Sequence, residues 1–177
     1  GSGVAFGKER PAGVAPAGEG RAALPDFSRS LPMSLLRARE AVMRHFRASL
    51  RRFDLTEQQW RVLRALTTRE EHEVTELALA TFLLAPSLSR ILKDLEQRGL
   101  VLRRSIESDH RRALISLAPS GRALIAKVTP DSEAIYAEII ARFGAARLAE
   151  LQATLADLER AMTGFGPEDR RFRPDEP

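Results

Sequence analysis

The sequence predicts a mainly α-helical protein that carries one small β-hairpin, and two observations predict this fold class. Apolar residues recur every three or four positions through most of residues 33–163, the spacing of amphipathic helices. The exception lies around residues 100–117, where two short β-favouring runs flank a polar segment. The Gly- and Pro-rich start, 1–31, and the tail, 164–177, lack periodicity, so we expect both to be disordered around one folded domain at 32–163.

The composition narrows the class of protein. With 177 residues the chain suffices for one sizeable domain, and the absence of cysteine excludes disulfides and thiolate zinc sites. There is no apolar run of about eighteen residues and no signal-like start, so we expect a cytoplasmic protein without a membrane partner. The net charge is only +4, but residues 86–112 hold seven Lys/Arg against four Asp/Glu, whereas 54–82 hold three against six. This concentration of positive charge favours contact with phosphates.

The first predicted helix, residues 33–53, is strongly basic, with six arginines and one acidic residue. Its apolar stripe consists of Leu35, Val42, Phe46 and Phe53. Arg39 lies four residues after Leu35, on the inward face, and His45 lies further along near the same stripe. Either Arg39 pairs with an acid at a dimer interface or extends to water while His45 packs, or the two receive the carboxylate of a small ligand.

A second helix begins after Thr56, because Gln59 three residues later completes the capping-box pattern. The helix is expected to bury Trp60, Leu63 and Leu66. Trp60 is read first as a core anchor and alternatively as one wall of an aromatic pocket between the first two helices. The charged run 69–73 is expected to be a solvated connection.

Two further helices joined by a tight turn are predicted between residues 75 and 99. Thr75 suits the N-cap of the first, Pro86 the first position of the second, and Gly99 its left-handed end. The second helix buries Leu88, Ile91, Leu92 and Leu95. Its polar face carries Ser87, Ser89, Arg90, Lys93 and Asp94.

A hairpin follows, with strands at 100–105 and 113–117. The polar loop 106–112 between them contains Asp109, His110, Arg111 and Arg112. A helix pair followed by a basic hairpin loop can put one helix in a major groove and the loop beside a minor groove. The sequence therefore predicts a winged helix-turn-helix, at about 55–117, that binds double-stranded DNA.

Two long helices complete the chain, one from Pro119 to Phe143 and one over residues 145–162. The winged module is too small to cover them together with the helix at 33–53, so we expect 33–53 and 119–163 to form a homodimer. A two-fold dimer presents two recognition helices about 34–36 Å apart and predicts a palindromic operator.

Other functions are less well supported by the residues. The three histidines lack zinc spacing, and there is neither a Gly-rich phosphate loop nor a nucleophile motif, so we expect no enzyme, metal or cofactor. A winged helix that only binds protein, or a DNA-binding regulator without a ligand, remains an alternative. The paired arginines of the hairpin favour DNA.

The order of elements resembles the MarR family of bacterial transcriptional regulators. The matching motifs are LSRILKDLEQRGLV at 88–101 and SDHRRALISL at 108–117. SLLRAREA at 34–41 and LTEQQWR at 55–61 are similar to the branch that regulates degradation of aromatic compounds such as homoprotocatechuate and nicotinate.

This resemblance implies roles for particular residues. In the recognition helix, those that meet base edges and phosphates would be Ser87, Ser89, Arg90 and Lys93. Asp109 and Arg111 match the Asp-x-Arg pair of the wing, whose arginine enters the minor groove, while Arg104 and Arg112 would contact phosphates. Ala118 departs from the threonine that often caps the next helix, and Ser120 is a possible substitute.

The family also implies a ligand. Its ligand responses usually arise in the crevice between the dimer helices and the winged module. There Arg39 and His45, with Trp60 across from them, would suit an aromatic carboxylate. The implied protein is a repressor whose hold on DNA a small aromatic acid weakens.

Overall fold

A computed structural model describes residues 24, 26–106 and 109–165, together with the backbone but not the side chains of 109–111. The chain divides into two compact units, residues 1–39 and 40–177. After a 3₁₀ helix at Phe27–Arg29, the helices are α1 (Leu31–Arg51), α2 (Glu57–Leu66), α3 (Val74–Thr81), α4 (Ala85–Gln97), α5 (Pro119–Phe143) and α6 (Ala145–Met162). The strands are β1 (His72–Glu73), β2 (Val101–Ile106) and β3 (Asp109–Leu117). The mainly α prediction with a small hairpin is confirmed.

The sheet has three antiparallel strands in the order β1-β3-β2. The prediction of a solvated connection at 69–73 holds for Arg69 and Glu70, which are exposed, but is wrong for His72, which is buried and pairs with Ile115 of β3. Strand β2 has the predicted length but begins one residue later, whereas β3 is longer than predicted, since it already begins at Asp109 and therefore includes the arginines expected in the loop. The pairing of β2 with β3 is irregular at this end, because the register shifts between Ser105, which lies opposite Ala113, and Ile106, which lies opposite Asp109.

At the ends of the short helices, some of the caps predicted from local sequence are present and one is not. Both halves of the α2 capping box are present, with Gln59 N–H donating to Thr56 Oγ1 at 3.1 Å and Thr56 N–H to Gln59 Oε1 at 3.0 Å. The prediction of Thr75 as an N-cap is wrong: β1 runs straight into α3, which leaves Glu73 at the cap position. Gly99 has the expected left-handed backbone, with φ of +72°.

The hydrophobic core of the second unit lies between α2, α3, α4, the sheet and the start of α5. Its fully buried side chains include Leu50, Val62, Leu63, Leu66, Leu77, Leu88, Leu92, Leu95, Val101, Ile115 and Val128. Burying such a side chain stabilises a fold by about 1.5–3 kcal/mol. This core fixes α4 against α2 and α3, so the exposed face of α4 has a defined direction.

The first turn of α5 packs directly on the residues that precede β2. Ala118 N–H donates to the carbonyl of Leu100 at 3.0 Å, and Ser120 Oγ donates to the carbonyl of Gly99. Ser120 therefore does not supply the missing cap, and within the described residues no side chain caps α5 at Ala118. A Cβ on Gly121 would lie 2.2 Å from the Leu100 carbonyl oxygen, so only glycine fits there.

Apolar side chains remain exposed on three long helices. On α1 these include Leu31, Leu35, Leu36 and Val42, on α5 Tyr136 and Ile140, and on α6 Leu151, Leu155 and Met162. All of α6 is described, and none of its residues is buried. Within the described part of the chain, no single helix is long and apolar enough to cross a membrane, and α3 and α4 reach that length and hydropathy only together, across a 108° bend.

Candidate nucleic-acid interface

The axes of α3 and α4 differ by 108°, within the range of about 90–120° found in helix-turn-helix motifs. Phe82 makes the turn possible, because it ends α3 in the left-handed conformation, with φ of 55°. Such a backbone is unusual for a residue with a Cβ, and here it lets α4 start only three residues after Phe82. The turn directs the start of α4 away from the core.

Helix α4 presents one buried and one exposed face. Leu88, Leu92 and Leu95 are fully buried and anchor the helix. The sequence placed Ser87, Ser89, Arg90 and Lys93 on the polar face; Ser87 is half-buried, and the other three are exposed. Within the described residues Arg90 and Lys93 have no hydrogen-bond or ionic partner, so both cations are available to a ligand.

A polar contact fixes α4 to the beginning of α2. Gln59 Nε2 donates to Asp94 Oδ2 at 2.7 Å, and Arg98 Nη1 donates to the carbonyl of Asp54 at 2.8 Å. The carboxylate of Asp94 therefore helps to hold α4 against α2. Sequence reasoning assigned Gln59 only to the capping box and missed its contact with Asp94.

A cleft of about 370 Å³ separates the start of α2 from α4. Its lining residues are Thr56, Gln58, Gln59, Leu83, Ser87, Arg90, Ile91 and Asp94. The cleft thus opens beside Ser87 and Arg90 of the polar face. None of the three residues predicted to bind an effector lines it.

The three-stranded sheet β1-β3-β2 is called the wing sheet below, and among its described side chains two arginine–glutamate ion pairs lie on the outer face. Arg104 of β2 forms a bidentate pair with Glu71, at 2.6 and 2.8 Å, and Arg112 of β3 pairs with Glu73. The guanidinium of Arg104 holds the pKa of the Glu71 carboxyl below its ordinary value. The side chains of Asp109 and Arg111 lie outside the described residues.

The residues predicted to hold an effector lie at different depths. Arg39 and His45 are both exposed on α1, the first in the first unit and the second in the second. Trp60 is half-buried and packs against the core, in keeping with its simpler reading as a core anchor.

A buried carboxylate links three helices of the second unit. Only 9% of the Glu57 side chain is exposed, and it accepts from Arg47 Nε of α1 at 2.9 Å and from Arg61 Nη2 of α2 at 3.3 Å. Arg61 also donates to the carbonyl of Thr81, at the end of α3. With Glu40 as a further acceptor, these carboxylates raise the pKa of Arg47 and keep it charged. Sequence reasoning treated Arg47 only as part of a basic helix and Arg61 only as part of the motif at 55–61, and it missed their shared carboxylate.

Comparisons with known proteins agree with this architecture. The profile of the MarR family matches residues 53–112. The homoprotocatechuate degradative operon repressor of Escherichia coli is 40% identical over 72% of this chain and 86% of its own length.

Two solved structures share the fold. NadR in complex with 4-hydroxyphenylacetate is 32% identical, with a TM-score of 0.65 over 77% of this chain and 97% of NadR. The transcriptional repressor CouR, bound to a 23-mer DNA duplex, is 26% identical, with a TM-score of 0.70 over 79% of this chain and 99% of CouR. These similar proteins are transcriptional regulators, not enzymes.

Proposed function

Since the chain belongs to the MarR family of transcriptional regulators, we propose that it is a repressor that binds a palindromic operator as a homodimer. A small aromatic carboxylate releases it from DNA. The observation that carries the proposal is the exposed face of α4, where Arg90 and Lys93 have no partner in the described part of the chain. A recognition helix needs such donors for guanine edges and phosphates.

The DNA-contacting surface, called the reading head below, consists of α4 and the wing, which is the hairpin of β2 and β3. Ser87, Ser89, Arg90 and Lys93 contact base edges and phosphates from α4. Arg111, oriented by Asp109, enters the minor groove, and Arg104 and Arg112 contact phosphates on either side. CouR, a chain of the same fold, is bound to a DNA duplex, which supports DNA binding by this chain.

The dimer forms through the terminal helices. Leu151, Leu155 and Met162 of α6 are 40–52% exposed, and α6, described throughout, buries no residue. A second copy of the chain is the partner that covers such a stripe and also duplicates the reading head. Two-fold symmetry of the protein then requires a palindromic site.

The effector is a small aromatic acid. Arg39 supplies a guanidinium for the carboxylate, His45 a second polar contact, and Trp60 an aromatic wall. NadR, at 32% identity, binds 4-hydroxyphenylacetate, a molecule of this class. Differential affinity of the acid for the DNA-free state lowers operator affinity.

Selection from a library of random 23-base-pair duplexes tests the DNA proposal. We expect enrichment of one palindrome, and we expect Arg90→Ala to lose roughly five- to 150-fold in affinity for it, which corresponds to about 1–3 kcal/mol for a base contact. Arg64→Ala, an exposed arginine on α2, is the matched control and should bind nearly as the wild type does. Absence of any enriched sequence, or equal affinity of the two variants, would refute the assignment.

Titration of the selected complex with 4-hydroxyphenylacetate and related aromatic acids tests the effector proposal. We expect release of DNA from the wild type and a response weakened at least tenfold in Arg39→Ala, which loses the guanidinium for the carboxylate. Arg37→Ala, exposed on the same helix, is the control. If Arg39→Ala responds as the wild type does, Arg39 does not bind the acid.

A further inference from the structure

The outer face of the wing sheet brings carboxylates and arginines together by strand register. Glu73 of β1 and Arg104 of β2 both lie opposite Leu114 of β3, so the three side chains share one face of the sheet. His72, Ile115 and Val101 occupy the other face and are buried. The paired arginines and glutamates therefore lie on the solvated side.

Both arginines are paired but accessible. The side chains of Arg104 and Arg112 are 61% and 53% exposed, while those of their partners Glu71 and Glu73 are 38% and 27% exposed. Exposed ion pairs are weak and are screened by salt. Another anion can therefore replace either glutamate as the partner of its arginine without disturbing the core.

The anion that competes best is a phosphate. The guanidinium group binds a carboxylate or a phosphate through the same two parallel N–H donors, as Arg104 does with Glu71. A carboxylate bound in this way occupies the donors that a DNA phosphate would use. A DNA phosphate must therefore displace the carboxylate from this edge of the guanidinium, or bind through Nη1 to a charge that the carboxylate already partly neutralises.

We propose that Glu71 and Glu73 compete with DNA phosphates for Arg104 and Arg112 and so limit the affinity of the wing for DNA. This inference rests on the proposed DNA-binding function and names two positioning residues within it. Both glutamates belong to the segment leading into α3 and touch DNA only through the arginines they hold. The two glutamates thereby lower the affinity that comes from phosphate contacts, and these contacts do not distinguish one DNA sequence from another.

The test is a double-mutant cycle with a labelled mixed-sequence duplex of 23 base pairs, the length bound by CouR. Glu71→Gln/Glu73→Gln should bind this duplex on the order of tenfold more tightly at low salt, with the gain shrinking as salt is raised. In an Arg104→Ala/Arg112→Ala background the same two substitutions should give a much smaller gain. This difference separates competition for the arginines from the general loss of negative charge.

Glu138→Gln is the matched control, because Glu138 pairs with Arg142 on α5, outside the wing. Thermal unfolding of every variant shows whether it is folded. If a variant with two or four substitutions is unstable, the smaller cycle of Glu71→Gln with Arg104→Ala tests the same competition. Equal gains in both backgrounds, or weaker binding after Glu→Gln, would overturn the competition. If the wild type binds no duplex at any salt concentration, the proposed function fails instead.

Discussion

Gln59 on α2 donates a hydrogen bond from Nε2 to Oδ2 of Asp94 on α4, at 2.7 Å. Its Oε1 at the same time accepts from the backbone N–H of Thr56. One side chain therefore completes the cap of α2 and holds the helix that carries the reading face.

Replacing Gln59 with alanine should destabilise the protein by about 1–2 kcal/mol, because both hydrogen bonds are lost and Asp94 loses a donor. Urea denaturation of the wild type and the variant measures this difference. Gln58→Ala, at the exposed neighbouring position, should stay within about 0.5 kcal/mol of the wild type. Equal midpoints for the two variants would show that the contact to Asp94 contributes no stability.

Gly121→Ala should destabilise the protein by about 1–3 kcal/mol, since the new Cβ would meet the Leu100 carbonyl oxygen at 2.2 Å. The nearest obstacle is the backbone of Leu100, which cannot rotate aside as a side chain can, so relief requires α5 to move off the residues before β2. Thermal unfolding monitored by circular dichroism measures the loss. Lys127→Ala, exposed on the same helix, is the control, and an unchanged melting temperature for Gly121→Ala would contradict the close approach.

The helices could be predicted from sequence because their signals are local. The spacing of apolar residues and the position of Pro119 define α5 and α6, and both helices have the predicted bounds. The polar face of α4 follows from the same periodicity. Gly99 ends its helix as expected, since its left-handed backbone is a property of one residue and its neighbours.

Strand β1 could not be predicted, because two residues in a charged run carry no periodicity and their pairing with β3 is distant in sequence. The ion pairs of Arg104 and Arg112 depend on that register and were missed with it. These arginines were expected to be open to phosphates, whereas the structure pairs them with Glu71 and Glu73. The sequence thus identified the charged groups of the wing but not their partners.

Because of His72, we expect the protein to lose stability in mild acid. Burial, and to a lesser degree the charge of Arg69, lower its pKa below the ordinary value of 6.5. Its Nε2 lies 3.0 Å from Thr68 Oγ1, while within the described residues Nδ1 has no hydrogen-bond partner. A second proton would therefore place a positive charge within β1, and within the described residues the Nδ1–H would have no hydrogen-bond acceptor.

The direction in which stability changes with pH follows from the difference in proton binding between the folded and the unfolded chain. The unfolded chain takes up the proton near pH 6.5, whereas the folded chain resists it until its lower pKa is reached, so stability falls across that window as the pH falls. Denaturation between pH 7.5 and 5 should show this decline for the wild type, and His72→Gln should show a flatter profile. Parallel profiles would mean that His72 titrates alike in both states.

Leu84 occupies the N-cap of α4, where its extended backbone, with φ of −68° and ψ of 145°, suits a capping residue. Its side chain is 77% exposed and cannot accept a hydrogen bond from the first turn, and within the described residues no other side chain caps this helix end. Leu84→Ser should therefore stabilise the protein by about 1 kcal/mol, because a hydroxyl can accept from a free N–H of the first turn. Leu84→Ala removes the same apolar surface without adding an acceptor, so the difference between the two melting temperatures isolates the cap. Equal melting temperatures would show that water already satisfies the start of α4 as well as a serine does.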